Sequence, residues 1–453
     1  MRVYDLPDGS GTVKEASKLS LQKKLKNVYT TWYLMTLRKD LGGDPVKIKQ
    51  DQNKKIYKLM KRAYEIPFYR AKFEESGTTP DDYHCSEDLV KFPTTTKAEL
   101  RKWMMQTWQD NPDKQKDWNV LSTSGSSGVP LKILYSQREQ AFSDANWARS
   151  LMAGGYDALR GKMYSFQTSH KDPNPKGYDS IVQKFGLMRR KVMSEDYCVG
   201  DGIADYIRDI NEYKPDMLCF RRNCLVRIVA YARQHDMELW KPKYYVPVSE
   251  MVDDVTRQML TEALGPGLID SYGVTEMGSC MYKYPGDDFF HVCNDMSVVN
   301  IYDDNDQLAD NGRIILTALY KKDFPIINYE ILDLAKSYVK DGIRYVTEIE
   351  GRMNDLIKHE DGVESSALML MRIANHTTGL SQFRFIEETY HDMLIQLAPD
   401  PYNTEKSREE IEQHFIHEVE KLFGDEFRIR IEWMDILPPD KTGKQRCFVC
   451  NVE

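Results

Sequence analysis

The sequence predicts an α/β protein: a large multi-sheet N-terminal domain joined to a small α+β C-terminal domain suited to act as a mobile cap. Three observations point there. At 453 residues the chain is longer than one hydrophobic core usually supports. From about residue 215 strand-like and helical patterns alternate, as they do where crossover helices join the strands of a parallel sheet. Beyond about residue 353, three strand-like runs surround one long helical run, a unit of its own. The expected division is therefore 1–353 and 354–453.

Residues 1–115 form a helical lead-in, rich in Lys, Tyr and helix formers, with apolar spacing in LMKRAYEIPFYRAKF that predicts helices punctuated by Pro67. PDMLCF then reads as a strand, CLVRIVAYARQHD as an amphipathic helix and KYYVPVS as a strand. DDVTRQMLTEALG reads as a helix and GLIDSYG as the next strand of the same parallel sheet. GRIILTAL and FPIINYEI follow as strands before the Gly351-Arg352 turn. In the last part SQFRFIEE, HDMLIQLAP and FRIRIEWMD are the strands, and TEKSREEIEQHFIHEVEKLF is the helix.

Composition removes several function classes. A formal charge of -8 provides no basic field for nucleic acid or an anionic membrane. No apolar run is long enough to span a bilayer, and the first residues lack the apolar centre of a signal peptide, so a cytoplasmic protein is expected. The eight cysteines are scattered and read as reduced thiols. Cys447 and Cys450 make a CxxC, but within the strand-like CFVCNV residues three apart face opposite ways, against redox chemistry.

Two segments carry chemistry. Ser122-Thr123-Ser124-Gly125-Ser126-Ser127-Gly128-Val129-Pro130 has the glycines that let backbone approach an anion and the hydroxyls that donate to phosphate oxygens. Composition alone fits a flexible Ser/Gly loop equally well. Asp270-Ser271-Tyr272-Gly273-Val274-Thr275-Glu276 stands where a strand ends, the position at which parallel sheets place ligands, and its Thr-Glu pair provides a hydroxyl and a hard oxygen for Mg²⁺.

The Ser/Thr/Gly loop followed by YGVTE resembles the adenylate-forming superfamily of acyl-CoA synthetases. Tyr329-Glu330-Ile331-Leu332-Asp333 is similar to the segment that presents a ribose-binding Asp. Gly351-Arg352-Met353-Asn354-Asp355 resembles the hinge, and Lys444 in LPPDKTGKQR the C-terminal lysine. IPFYRAKFEESG with EDLVKFPTTTKAELR resembles the amino-terminal signature of the phenylacetate-CoA ligase branch, so the resemblance runs from about residue 55 to 450. Four motifs in the right order are far more specific than one.

The resemblance implies an ATP-dependent ligase that activates a carboxylic acid as an acyl-adenylate. Coenzyme A then takes the acyl group, and AMP and pyrophosphate are released. Thr123, Ser124, Gly125, Ser126, Ser127 and Gly128 would hold the β- and γ-phosphates. Ser249 and Glu250 would border adenine and Tyr272, followed by Gly273, would stack on it. Thr275 and Glu276 would bind the α-phosphate and Mg²⁺, Asp333 both ribose hydroxyls, and Lys444 the adenylation transition state. Arg352 would bridge hinge and nucleotide, while Asn354 and Asp355 absorb the hinge rotation. A homodimer is a further implication, to which no heptad pattern adds support.

The chain departs from the family at Val129, where a lysine is common, at Glu330 and Leu332, where Arg and Gly are usual, and at Asn354, where Asp or Lys is usual. The stretch MAGGYDALRGKMYSFQTSHKDPNPKGYDS lacks the Gly-rich pattern of phenylacetate ligases and carries Gln167, Ser169 and His170, implying a more polar acid. His170 reads either as a substrate contact or as an ordinary packed residue. Cys280, His291 and Cys293 offer zinc three ligands where structural zinc normally takes four; two buried thiols are the other reading. Two alternatives to a CoA ligase stay open. One is an adenylate-forming enzyme with an amine, a protein thiol or a biosynthetic intermediate as acceptor, as in capsular polysaccharide or specialised metabolite pathways. The other is a noncatalytic nucleotide-binding homologue.

Overall fold

The computed structural model describes residues 21–37, 43–123, 131–167, 186–187, 189–194, 198, 200, 202–352, 355–375, 377–400, 406–440 and 445–452. The chain divides into two compact units, residues 1–158 with 271–350 and residues 159–270 with 351–453.

The first unit opens with the expected helices, α1 (Leu21–Thr36), α2 (Pro45–Tyr64), α3 (Pro67–Ser76) and α4 (Lys97–Asp110). Pro67 stands in the first turn of α3, where a missing N–H costs no helical bond. α2 starts because the Asp44 carboxylate accepts from Val46 N at 3.0 Å. Its Ile56, Leu59, Met60 and Ala63, at helical spacing, pack with Tyr69, Phe73 and Phe92. Capping boxes start α4, through Thr96 and Glu99, and α5 (Gln137–Ala153), through Ser136 and Glu139.

Three sheets complete this unit. β1 (Trp118–Ser122) and β2 (Lys132–Ser136) form an antiparallel pair. β7 (Asp270–Val274), β8 (Gly278–Lys283) and β9 (His291–Val292) form a three-stranded sheet. β10 (Ser297–Tyr302), β11 (Asn311–Ala318), β12 (Tyr329–Lys340) and β13 (Ile343–Arg352) lie side by side in chain order. FPIINYEI is strand only from Tyr329 onward. Before it, Asn328 takes φ of 46° and its side-chain amide donates to Leu89 O at 2.6 Å and Phe92 O at 2.8 Å, which ties the segment to the helical region. GLIDSYG also differs from expectation. Leu268 alone bridges Tyr245 in parallel, and the strand proper joins β8.

The second unit holds the parallel sheet, in the order β4 (Arg189–Ser194), β3 (Lys162–Gln167), β5 (Met217–Arg221), β6 (Tyr244–Val248). All of its pairings are parallel, and it begins about fifty residues earlier than the sequence suggests. α6 (Gly202–Tyr213), α7 (Arg222–Gln234) and α8 (Asp254–Leu264) pack on it through Tyr206, Leu225, Val229 and Leu260 against Tyr164, Phe220 and Tyr245.

The carboxyl-terminal part of this unit has a short pair, β14 (Leu356–Lys358) and β15 (Glu364–Ser366), followed by α9 (Leu368–Asn375). Its main sheet is ordered β18 (Arg428–Trp433), β17 (Asp392–Pro399), β16 (Leu380–Thr389), β19 (Phe448–Cys450). α10 (Arg408–Phe423) buries Ile411, Phe415 and Val419 and starts at the Ser407–Glu410 capping box. Among the described residues no helix is long and apolar enough to cross a membrane.

Candidate active site

In the first unit, β7 and β8 are joined by the turn Thr275-Glu276-Met277. Gly273 is needed because a Cβ there would come within 2.5 Å of Ser279 Cα. Gly278 has φ of 72°, and a Cβ would collide with the Ser143 hydroxyl. Glu276 is 5 % exposed and accepts from the Tyr329 hydroxyl at 2.7 Å on Oε1. Tyr135 donates to Thr275 O at 2.9 Å, and Tyr320 to Met277 O at 3.0 Å.

Tyr272 and Asp333, which are 61 residues apart in the chain, meet in a hydrogen bond of 2.6 Å from the phenol to Oδ2. The β11–β12 register explains how Asp333 gets there. Arg313 pairs with Leu334 but Ile315 pairs with Glu330, so the intervening residues of β12 bulge out of the ladder. Leu332 lies inside the bulge with φ of 63°, a left-handed backbone that a leucine adopts only at a cost of about 1–2 kcal/mol. Glu330 is held by Arg313.

Thr123 closes the base of the segment that follows it. Its N–H donates to Leu131 O and its Oγ1 accepts from Leu131 N, both at 2.9 Å. Beneath the Thr-Glu turn lies Lys321, fully buried, with Nζ donating to Leu134 O at 3.0 Å and standing 3.3 Å from the Tyr135 ring centroid. Burial pushes this ammonium down to about 8, against the pull of Glu139, Asp323 and Glu276.

In the second unit Ser249 and Glu250 follow the carboxyl end of β6, and Ser249 takes φ of 72°. Their loop is braced by Arg222, 3 % exposed, which donates to Asp253 and, at 3.1 Å, to the Thr256 hydroxyl. The same guanidinium lies 3.9 Å from the Glu250 carboxylate. Arg352 is an exposed residue at the end of β13, and its carbonyl accepts from Asp355 N at 3.3 Å.

No protein-family profile matches the chain. The phenylacetate-coenzyme A ligase of Escherichia coli K12 is 28% identical over 334 residues, 68% of this chain and 71% of that enzyme. The phenylacetate-coenzyme A ligase of Pseudomonas putida is 25% identical over 328 residues, 68% of this chain and 72% of its own length. A crystal structure of 2-hydroxyisobutyryl-CoA ligase, in complex with an acyl-AMP, shares the fold at a TM-score of 0.68. The match has 17% identity and spans 88% of this chain and 89% of that one. The chain is thus similar over two thirds of its length to phenylacetate-CoA ligases and shares the fold of an acyl-CoA ligase.

The motif residues singled out in the sequence divide in three ways. Tyr272, Gly273, Thr275, Glu276 and Asp333 come together in the first unit. Ser249, Glu250, Arg352 and Asp355 belong to the second. Ser124, Gly125, Ser126, Ser127, Gly128, Val129, His170, Asn354 and Lys444 lie outside the described residues.

The sequence reading missed Tyr135, Tyr320, Lys321 and Arg222. Tyr329 was in view only as the first letter of the segment leading to Asp333. A charged residue within LYKKDFP, and another at the end of PDMLCFRR, were the only signals for Lys321 and Arg222.

The structure does not gather the residues considered for zinc. Among the described residues no group of three or more His, Cys, Asp or Glu side chains is placed to hold a metal. Cys280 and Cys293 are fully buried, and burial raises both thiols, Cys293 to about 11. His291 instead bonds Asp287 at 2.8 Å. Magnesium makes a different demand: one or two hard oxygens beside substrate phosphates. The Glu276 carboxylate and the Thr275 hydroxyl fit it, and Tyr329 takes one Glu276 oxygen without contributing a positive charge.

In the CxxC segment, burial pushes Cys447 up to about 12, far from the thiolate that redox chemistry uses.

Proposed function

We propose that this chain catalyses ATP-dependent formation of an acyl-adenylate from a carboxylic acid, then transfers the acyl group to coenzyme A, releasing pyrophosphate and AMP. The reading is carried by one observation: Tyr272 and Asp333 join in one hydrogen bond on the sheet system whose β7–β8 turn presents Thr275 and Glu276. Similarity to phenylacetate-coenzyme A ligases over two thirds of the chain supports it.

In this reading Tyr272 stacks on adenine and Asp333 accepts from the ribose hydroxyls. The acid's carboxylate attacks the α-phosphorus while the bond to pyrophosphate breaks, and Thr275 donates to the α-phosphate. Glu276 would hold a magnesium ion, which when bound would offset the negative charge on the phosphates. Ser249 and Glu250 line adenine, and residues 123–128 hold the β- and γ-phosphates. Lys444, on the 354–453 cap, places a cation on the developing charge. Arg352, Asn354 and Asp355 serve as the hinge, and turning about it exposes the adenylate to the coenzyme A thiol. The thiol's sulfur then attacks the acyl carbon and AMP leaves.

The test is acid-dependent ATP–pyrophosphate exchange with phenylacetate and a panel of aryl, short hydroxy and fatty acids, with no acceptor present. Exchange with one of them, followed by thioester formation on adding coenzyme A, is the expected result. Exchange without a thioester would move the assignment to another acceptor. Clear ATP binding with no exchange from any acid would favour a noncatalytic nucleotide binder.

A further inference from the structure

Three consecutive residues of one turn are each held by a different tyrosine hydroxyl. Tyr135, on β2, donates to Thr275 O at 2.9 Å; Tyr329, the first residue of β12, donates to the Glu276 carboxylate at 2.7 Å; Tyr320, just past β11, donates to Met277 O at 3.0 Å. Tyr135 and Tyr329 are almost fully buried, and the Tyr320 ring stacks on Phe142 at 4.9 Å. The Lys321 ammonium lies over the Tyr135 ring, 3.3 Å from its centroid.

We propose that Tyr135, Tyr320 and Tyr329 are positioning residues that preset the Thr275–Glu276 turn for a magnesium–nucleotide complex. This rests on the function proposed above. A turn between two strands has carbonyls that its own ladder leaves unbonded, and buried acceptors left unpaired destabilise whichever conformation contains them. Three donors, two from separate strands and one from just past a third, restrict the arrangement of the turn, so little reorganisation remains when charge develops. The choice of donor matters most at Glu276. A lysine or arginine in the place of Tyr329 would cancel the carboxylate's charge, whereas a neutral phenol fixes its rotamer and leaves the charge for the cation.

The test uses the full chain and α,β-methylene-ATP with Mg²⁺, read by titration calorimetry, with melting temperature measured alongside. Tyr329→Phe is expected to weaken magnesium-dependent nucleotide binding about tenfold, and Tyr135→Phe and Tyr320→Phe about threefold each. In exchange assays kcat should fall with the KM for acid unmoved. Tyr69→Phe is the control, because that buried hydroxyl donates to Pro325 O at 2.7 Å, with no bond to the turn. It should lose stability to a similar degree and bind the nucleotide as the wild type does. Equal binding by Tyr329→Phe and Tyr69→Phe would overturn the proposal. A wild-type chain that binds no magnesium–nucleotide complex would instead remove the function on which it rests.

Discussion

Replacing Arg222 by methionine, which keeps length and apolar volume, should damage the second unit more than any other single change among its described residues. The guanidinium is the cation between two buried carboxylates, with side-chain exposures of 1% for Asp253 and 6% for Glu250. Removing one partner of a buried ion pair costs about 3–5 kcal/mol, because the charge left behind stays desolvated. Asp253 keeps one bond, from Thr256 N at 2.8 Å, which holds the start of α8 and keeps the loss from being larger. For a unit of this size about 2–4 °C accompanies each kcal/mol, so its calorimetric transition should fall by roughly 6–20 °C. Trp240 and Trp433 both belong to this unit and report its unfolding by fluorescence. Arg222→Met combined with Asp253→Asn should recover about half of the loss, since asparagine still caps α8 without a charge. A transition within about 2 °C of wild type for Arg222→Met, or no recovery in the double variant, would refute the claim that Arg222 neutralises this loop.

Gly273→Ala forces a methyl group into β8 backbone and should cost about 1–3 kcal/mol, measured by urea unfolding. Lys444→Ala should slow acid-dependent pyrophosphate exchange by about two to three orders of magnitude while nucleotide affinity stays within a few-fold, the mark of a charge used in the transition state. Lys321 predicts a pH signature. Burial lowers its folded pKa to about 8, so above that pH the unfolded chain binds the extra proton. Wild-type stability should therefore rise relative to Lys321→Met as pH goes from about 8 to about 10.5, in parallel thermal melts. A flat difference across that window would mean the ammonium carries no burial penalty. Leu332→Gly should leave stability within about 1 kcal/mol, because relief of left-handed strain offsets the extra freedom of glycine in the unfolded chain.

Much of the carboxyl half was legible because its elements carry local signals. The alternation of β5, α7, β6 and α8 follows from buried apolar runs, with Asp253 capping α8, and α10 begins at a Ser-x-x-Glu box. The strands β3 and β4, KMYSFQ and RRKVMS, were not legible, since basic and polar residues interrupt the apolar run that a buried parallel strand normally shows. The site divides along the same line. Tyr272, Thr275 and Glu276 stand in one short motif and Asp333 in another, so each is met within a recognisable local run. Their supports are not: Tyr135 is 140 residues from the carbonyl it holds, and only the folded register brings it there. Arg222 likewise reads as an ordinary charge at a strand end until Asp253 and Thr256 are seen around it.

The paired bonds between Thr123 and Leu131 join the two ends of the intervening segment to each other and to the β1–β2 ladder. Both bonds are made by Thr123 and Leu131 themselves, so the end of the hairpin is closed without any side chain from residues 124–130. Loop closure entropy grows only slowly with length, so doubling that segment would cost about 0.6 kcal/mol. If residues 123–128 hold the β- and γ-phosphates as proposed, exchanging residues 124–130 should alter triphosphate recognition while the hairpin stays closed.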